Sequence, residues 1–315
     1  MCFLKNWYYK IVGSNDTPIE EAKTMRKALL VGINAYPSAP LRGCVNDVLL
    51  LYKILTEQYS FNAENVNVLT DGEATKANIL AGLRNLVKGT KADDVVFFHY
   101  SGHGSQVVVD DWTNTDEADG RDEILCPVDL DWNDPIRDHH LGAILKSVPA
   151  GVKVVVVLDC CHSGTGLRNS PKIVEPQTEN DWVNRFLPPP PSNILSNPKM
   201  KIGDSLDFLM PKEDKEIQVQ NKGFMVDTTA QGDAILVSGC EDGQTSADAW
   251  IGGRYQGALT FLLAQTLVEH KFVIPYRKLI KVLNQKMDKQ KFTQNPQLEA
   301  KQEYFKLNFL YPRSK

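Results

Sequence analysis

No stretch of the 315-residue chain approaches 18 consecutive apolar residues, so it offers no transmembrane helix. Its six cysteines contain no Cys-x-x-Cys pair, which removes the usual spacing of a zinc site or a thioredoxin-like motif. No Gly-x-Gly-x-x-Gly or Gly-Lys-Ser/Thr follows a strand-like segment, so dinucleotide and P-loop readings lack their phosphate cradle. Neither sign of charge dominates. The net charge of −4 argues against a nucleic-acid or anionic-membrane partner. Internal repeats and coiled-coil heptads are absent. Met1 to Tyr9 is too short and too aromatic for a signal peptide, so the expectation is a soluble cytoplasmic protein, where a working thiolate stays reduced.

What is present is ordinary globular material, 42% hydrophobic and 23% charged, enough for one large α/β domain or two small ones. Buried strands are expected at Lys27–Ile33, Val66–Leu69, Val95–His99, Val152–Leu158 and Ala234–Ser238. Between them, helical spacing runs over Asn46–Gln58 and Thr75–Val87, the second opened by a Thr cap. Further helices are expected at Gly257–His270 and Tyr276–Met287, with a last strand within Gln297–Leu310. Alternation of this kind predicts a parallel, doubly wound sheet. Residues 1–25 read as an N-terminal lead-in, polar over Asn15–Lys23 as a loose stretch or short helix, and 169–223, with Pro188 to Pro191 in a row, as a long insertion.

Two of the strands end in reactive side chains. Val152–Leu158, apolar but for Lys153, runs into Asp159-Cys-Cys-His-Ser-Gly164. Val95–His99 runs into Tyr100-Ser-Gly-His-Gly104. Ligands bind at the carboxyl ends of strands in open parallel sheets, so these tips form a candidate site. A side-chain period of two puts Asp159 and Cys161 on one side, Cys160 on the other, and Ser101 together with His103. A thiol and an imidazole at one edge are the minimum for nucleophilic catalysis. A cysteine-dependent phosphatase needs Arg six residues after the thiol. Leu167 stands there after Cys161 and Arg168 falls one residue late, so that reading fails on spacing.

Tyr-Ser-Gly-His-Gly and Asp-Cys-Cys-His-Ser-Gly, in this order, resemble the metacaspases, the caspase-like cysteine peptidases outside animals, here in a prokaryotic or type I-like form without a long prodomain. The likeness continues through Leu41-Arg-Gly-Cys-Val-Asn-Asp47, Asp122-Glu-Ile-Leu-Cys-Pro-Val-Asp129, Ser238 to Asp248 and Asn295-Pro-Gln297, over roughly residues 26 to 310. It implies a caspase-like α/β fold, a mostly parallel central sheet with helices on both faces. One catalytic domain would comprise a large segment (26–168), a variable linker (169–223) and a small segment (224–315).

The implied activity is a cysteine endopeptidase acting on proteins or peptides after Arg or Lys, as a monomer. Cys161 is the expected nucleophile, on strand parity and the family pattern, and His103 the acid-base partner. The N–H groups of Gly104 and Cys161 are the expected oxyanion donors. The resemblance puts Asp47 and Asp159 in the pocket for the P1 cation, lined also by Cys44 and Ser101. A carboxylate pair favours guanidinium and repels Asp. Asp159 has an alternative role, orienting His103 as a triad member. Asp248 and Trp250 border the same region.

Self-cleavage is expected in the linker, where eight basic residues from Arg168 to Lys222, Arg185 among them, offer cut points between which the sequence does not choose. Asp110–Asp138 carries eleven acids and reads as a solvated loop or hairpin. In calcium-activated metacaspases the ligand positions fall on Asp122, Asp138, His139 and Arg168. A cation at the last repels calcium, so no cofactor is expected to be required and calcium dependence to be weak or absent. The alternative function is a caspase-fold binding or scaffold protein with little or no peptidase activity. Peptidases of the clostripain or legumain types remain a third reading.

Overall fold

The computed structural model describes residues 24–108, 121–161, 182–190, 233–240, 244 and 246–310. A six-stranded sheet runs through its middle. In chain order its strands are β1 (Arg26–Gly32), β2 (Val66–Thr70), β3 (Val95–Ser101), β7 (Lys153–Asp159), β9 (Asp233–Ser238) and β12 (Gln297–Glu299), arranged β12-β9-β7-β3-β1-β2. All neighbours pair parallel except β12, which runs antiparallel to β9. Chain order reverses between β1 and β3, the switch point at which such sheets leave a crevice beyond the strand ends.

The strands are built for burial on both faces. Val155 and Val157 of β7 and Phe97 of β3 pack on one side with α1 (Cys44–Gln58), α4 (Ala258–Glu269) and α5 (Tyr276–Lys289). Val154, Val156, Leu158 and Cys160, with Phe98 and Tyr100, pack on the other with α2 (Lys76–Val87) and α3 (Asp138–Lys146). Each fully buried Val or Phe contributes about 1.5–3 kcal/mol relative to exposure. Thr75 caps α2 by accepting from Asn78 N–H, as its sequence position predicts. Lys153, the one charge in its run, reaches the Asn308 carbonyl at 3.2 Å and stands over the Tyr276 ring.

Two small sheets frame the carboxyl edge. One is β4 (Gly104–Val108), β5 (Arg121–Leu125) and β6 (Ile136–Arg137), antiparallel throughout. The described part of the acidic run thus includes a hairpin, but Asp122, Glu123 and Asp138 of that run are buried and not solvated. The other is β8 (Trp182–Asn184), β10 (Ala247–Ile251) and β11 (Arg254–Gly257), also antiparallel. The last strand is shorter than expected. Gln297–Glu299 joins the sheet, Gln302–Lys306 is a 3₁₀ helix, and Asn308 makes an isolated bridge to Pro275. Tyr304, Phe309 and Leu310 are buried, a spacing that serves a turn folded onto α5 and not an alternating strand. The lead-in to residue 23 and most of the insertion lie outside the described residues.

Candidate active site

The tips of β3 and β7 are in register, with Ser101 opposite Asp159 and Gly32 of β1 opposite Ser101. The predicted parity holds: Cys160 continues the face of Leu158 and is packed in its cluster, whereas Asp159 turns to the opposite side. Burial pushes the Cys160 thiol well above its usual range, with the charges of Cys240 and Asp159 adding to the effect.

The hollow beyond these tips holds a guanidinium from the chain itself. Arg185 follows β8 and is fully buried. Its Nη2 donates to Asp47 Oδ2 and to Asp248 Oδ1, each at 2.9 Å. Its Nη1 donates to Ser101 Oγ at 2.8 Å and to the Asp159 carbonyl at 3.0 Å, and lies 3.2 Å from Asp159 Oδ1. Asp47, Ser101 and Asp159 therefore meet around one cation of the chain itself. Cys44 lies buried at the same place, close enough for Arg185 to offset part of the rise that burial gives its thiol.

These acids are held from behind. Asp47, on the first turn of α1, accepts from Ser101 Oγ at 2.8 Å and from Gly257 N at 2.9 Å. Asp159 accepts from Ser246 Oγ and from both N–H and Oγ1 of Thr260. Asp248 accepts from the N–H groups of Arg42 and Gly43. Gly257 has no side chain for a reason: a Cβ there would stand 2.2 Å from Asp159 Oδ2 and 2.5 Å from Arg185 Nη1. Three carboxylates share one guanidinium. Burial pushes Asp47 up to about 7, against the pull of Arg185, with Asp159 adding to the rise.

The backbone of Arg185 is held too. Its carbonyl oxygen accepts from Gly104 N at 3.0 Å and from Cys161 N at 3.4 Å, and its N–H donates to the Ser246 carbonyl at 3.0 Å. The Cys161 sulfur accepts from Ser246 N–H and lies 3.5 Å from the Ser246 carbonyl. His103 is 1% exposed. Its Nε2 lies 2.7 Å from the Ala39 carbonyl, which can only accept, so the proton sits on Nε2. Nδ1 is then unprotonated, and it has no hydrogen-bond partner among the described residues. Burial lowers the imidazole to about 4, partly offset by the pull of the Ala39 and Arg185 carbonyls. Two phenols fix its backbone. Tyr36 Oη accepts from His103 N–H at 2.9 Å and Tyr100 Oη donates to His103 C=O at 2.8 Å.

Sequence reasoning misses several of these groups. The Ala39 carbonyl takes the orienting position that Asp159 had as its alternative role, and a backbone carbonyl carries no sequence signal. Ser246 lies within the Ser238 to Asp248 block without a role assigned to it there, and Gly257 and Thr260 stand in no motif that singles them out. Asp248 is a full member of the pocket, while Trp250 stands 37% exposed against Tyr255. His162 and Arg168 lie outside the described residues.

Of the positions expected for calcium ligands, Asp122, Asp138 and His139 are among the described residues. Asp122 Oδ2 is taken by Arg137 Nη1 at 2.5 Å, and Asp138 Oδ1 accepts from His139 N–H at 2.6 Å. No group of three or more His, Cys, Asp or Glu suited to a metal occurs among the described residues. No described helix is long and apolar enough to cross a membrane.

Comparison with known proteins matches residues 26–170 to the family model "Metacaspase, peptidase C14 domain". Metacaspase-1 of Meyerozyma guilliermondii is 32% identical, covering 87% of this chain and 69% of its own. The chain belongs to the metacaspase family. Metacaspase-1 of Cryptococcus neoformans is 35% identical over 87% of this chain, which spans 62% of that relative's length. A crystal structure of a protein from Geobacter sulfurreducens is similar with a TM-score of 0.63 and 25% identity, over 92% of this chain and 100% of that one. At the strand tips the N–H of Cys161 and the imidazole of His103 both border the Arg185 carbonyl.

Proposed function

We propose that this metacaspase is a cysteine endopeptidase that cuts after arginine, and after lysine less readily, with Cys161 as nucleophile and His103 as acid and base. One observation carries the reading: a buried arginine lies in the three-carboxylate pocket while its own carbonyl oxygen points at two N–H donors beside the thiol. A bound P1 residue requires that combination. Guanidinium presents parallel donors to paired acceptors, and the smaller ammonium of lysine reaches fewer of them.

In this mechanism His103 Nδ1 takes the Cys161 proton and the sulfur attacks the carbonyl carbon. The oxyanion is held by Gly104 and Cys161 N–H. Collapse breaks the C–N bond as His103 returns the proton to the leaving amine. Water, deprotonated by the same imidazole, then releases the acyl group and restores the thiol. Asp159 is assigned to the pocket and the Ala39 carbonyl to orienting the ring.

The chain also processes itself and needs no calcium for turnover. Arg137 already supplies Asp122 with the positive charge that a metal ion would otherwise bring. Strands β1, β2, β3 and β7 share one sheet with β9 and β12, which supports a single catalytic domain made of both segments.

The test is an arginyl chloromethyl ketone followed by peptide mapping. Alkylation of Cys161, and hydrolysis of arginyl but not aspartyl peptides, is the expected result. Absence of both labelling and hydrolysis would leave a caspase-fold binding module instead.

A further inference from the structure

We infer that the bond between Arg185 and Phe186 is the one this chain cuts in itself, in cis, and that before the cut residues 182–187 close the cleft to other substrates. The inference rests on the peptidase reading above and names both the bond and the form of regulation. Of the eight basic residues in the linker region Arg185 is the one that falls among the described residues, and both its side chain and its backbone are held in the site.

The chain is held as an extended strand on both sides of the bond. Upstream, β8 pairs antiparallel with β10, Asn184 opposite Ala247, Val183 opposite Asp248 and Trp182 opposite Ala249. Arg185 N–H continues the ladder to the Ser246 carbonyl. Downstream, Leu187 N–H donates to the Gly104 carbonyl at 3.0 Å, and Phe186, 5% exposed, bridges to Gly104. Gly104 thus grips the segment twice, its N–H on the carbonyl of the residue before the bond and its C=O on the second residue after it. Pro188, Pro189 and Pro190 have no N–H to extend the pairing, so the grip ends two residues past the bond. Strand addition of this kind is a general way to recognise an extended peptide.

A merely structural arginine would need its guanidinium neutralised. It would not need its carbonyl turned towards Gly104 and Cys161 N–H with the thiol alongside. The guanidinium itself is incompletely served, since Nε is buried without a partner among the described residues. This suits a ligand that enters and leaves better than a permanent core group.

The covalent step balances without any added reagent but water. Cys161 Sγ bonds to the Arg185 carbonyl carbon, the Arg185–Phe186 C–N bond breaks, and His103 gives the thiol's proton to the Phe186 nitrogen. Water then cleaves the thioester, leaving an Arg185 carboxylate, a Phe186 amine and a free thiol. Arg185 is tethered to the strand that carries Cys161, so its effective concentration is about millimolar and the first turnover is intramolecular.

The experiment is a time course of intact mass and N-terminal sequence on freshly prepared protein, with an arginyl peptide supplied in parallel. The expected result is a new N-terminus at Phe186, absent from Cys161→Ala. Its first-order rate constant should be unchanged over about a 50-fold dilution. Peptide hydrolysis should rise in step with the cut. Arg185→Gln should slow scission at this bond more than about 100-fold. Arg185→Lys, which keeps the charge, should still be cut there, more slowly. Peptide hydrolysis by protein that stays intact at 185–186, a first cut elsewhere, or a rate proportional to concentration overturns this inference and leaves the peptidase reading standing. Absence of both self-scission and peptide hydrolysis overturns the reading itself.

Discussion

Replacing Asp47 by Asn tests the pocket where its geometry is most demanding. Above about pH 7, where Asp47 is ionised, the change removes one charge and almost no volume. Asp47 Oδ2 takes Arg185 Nη2 at 2.9 Å and Ser101 Oγ at 2.8 Å, fully buried, so solvent screens little of the loss. Breaking a buried ion pair costs about 3–5 kcal/mol. Asn keeps one acceptor oxygen and Asp248 still holds Nη2, so the net loss in transition-state binding is about 2–4 kcal/mol. At 1.36 kcal/mol per decade this predicts a fall in kcat/KM of about 30- to 1,000-fold for arginyl peptides. The assay is best run in an Arg185→Gln background, which weakens the tethered competitor, with peptides identical except for arginine or citrulline at P1. Citrulline keeps the shape of arginine and loses its charge, so the Asn variant should affect it by no more than about threefold. Equal losses on both substrates would refute the argument, because Asp47 would then be supporting Gly257 N–H and not reading a cation.

Other consequences can be checked together. Cys161→Ala should abolish turnover while Cys160→Ala keeps it, at a stability cost of about 1–2 kcal/mol measured by chemical denaturation, since only Cys160 is packed among apolar side chains. In the uncut chain, burial holds His103 at about 4, so the imidazole is already neutral above about pH 5. The acid limb of self-scission should therefore centre near 4, and a limb at the ordinary value of about 6.5 would contradict it. Gly257→Ala should abolish arginyl cleavage and destabilise the fold by about 1–3 kcal/mol, because the added methyl lands on Asp159 and the bound guanidinium. Millimolar calcium added after chelation should change peptide hydrolysis by less than about twofold, the Asp122 carboxylate being already paired.

The sheet is largely legible in the sequence because its signal is local. Runs such as Val154–Leu158 admit few alternatives, and a period of two is enough to separate Asp159 and Cys161 from Cys160. The end of the chain misleads because Tyr304-Phe-Lys-Leu-Asn-Phe alternates in sequence, yet Tyr304 and Phe309 are both buried at a spacing of five. The small sheets are hard to read for another reason. Their strands are three to five residues long apart from the two-residue β6, and they owe their pairing to neighbours rather than to their own pattern. The pocket acids on the strand and helix ends are within reach of sequence reasoning, whereas Asp248 is expected only at the border. Arg185 is one basic residue among eight. It acquires its meaning when Asn184 falls opposite Ala247, a contact spanning 63 residues that no local rule contains.

The paired phenols behind His103 have a consequence for control. Tyr36 and Tyr100 share the Cys126 carbonyl as acceptor while gripping the N–H and C=O of His103, and Ala39 holds the ring. The imidazole is mortared into the wall of the cleft, with no rotation left to it that keeps those contacts. On the proposed mechanism, such a site has little room to be switched by swinging its base in and out of place. The on-off decision would then be made at the doorway, by what sits in the acidic hollow and whether it has been severed.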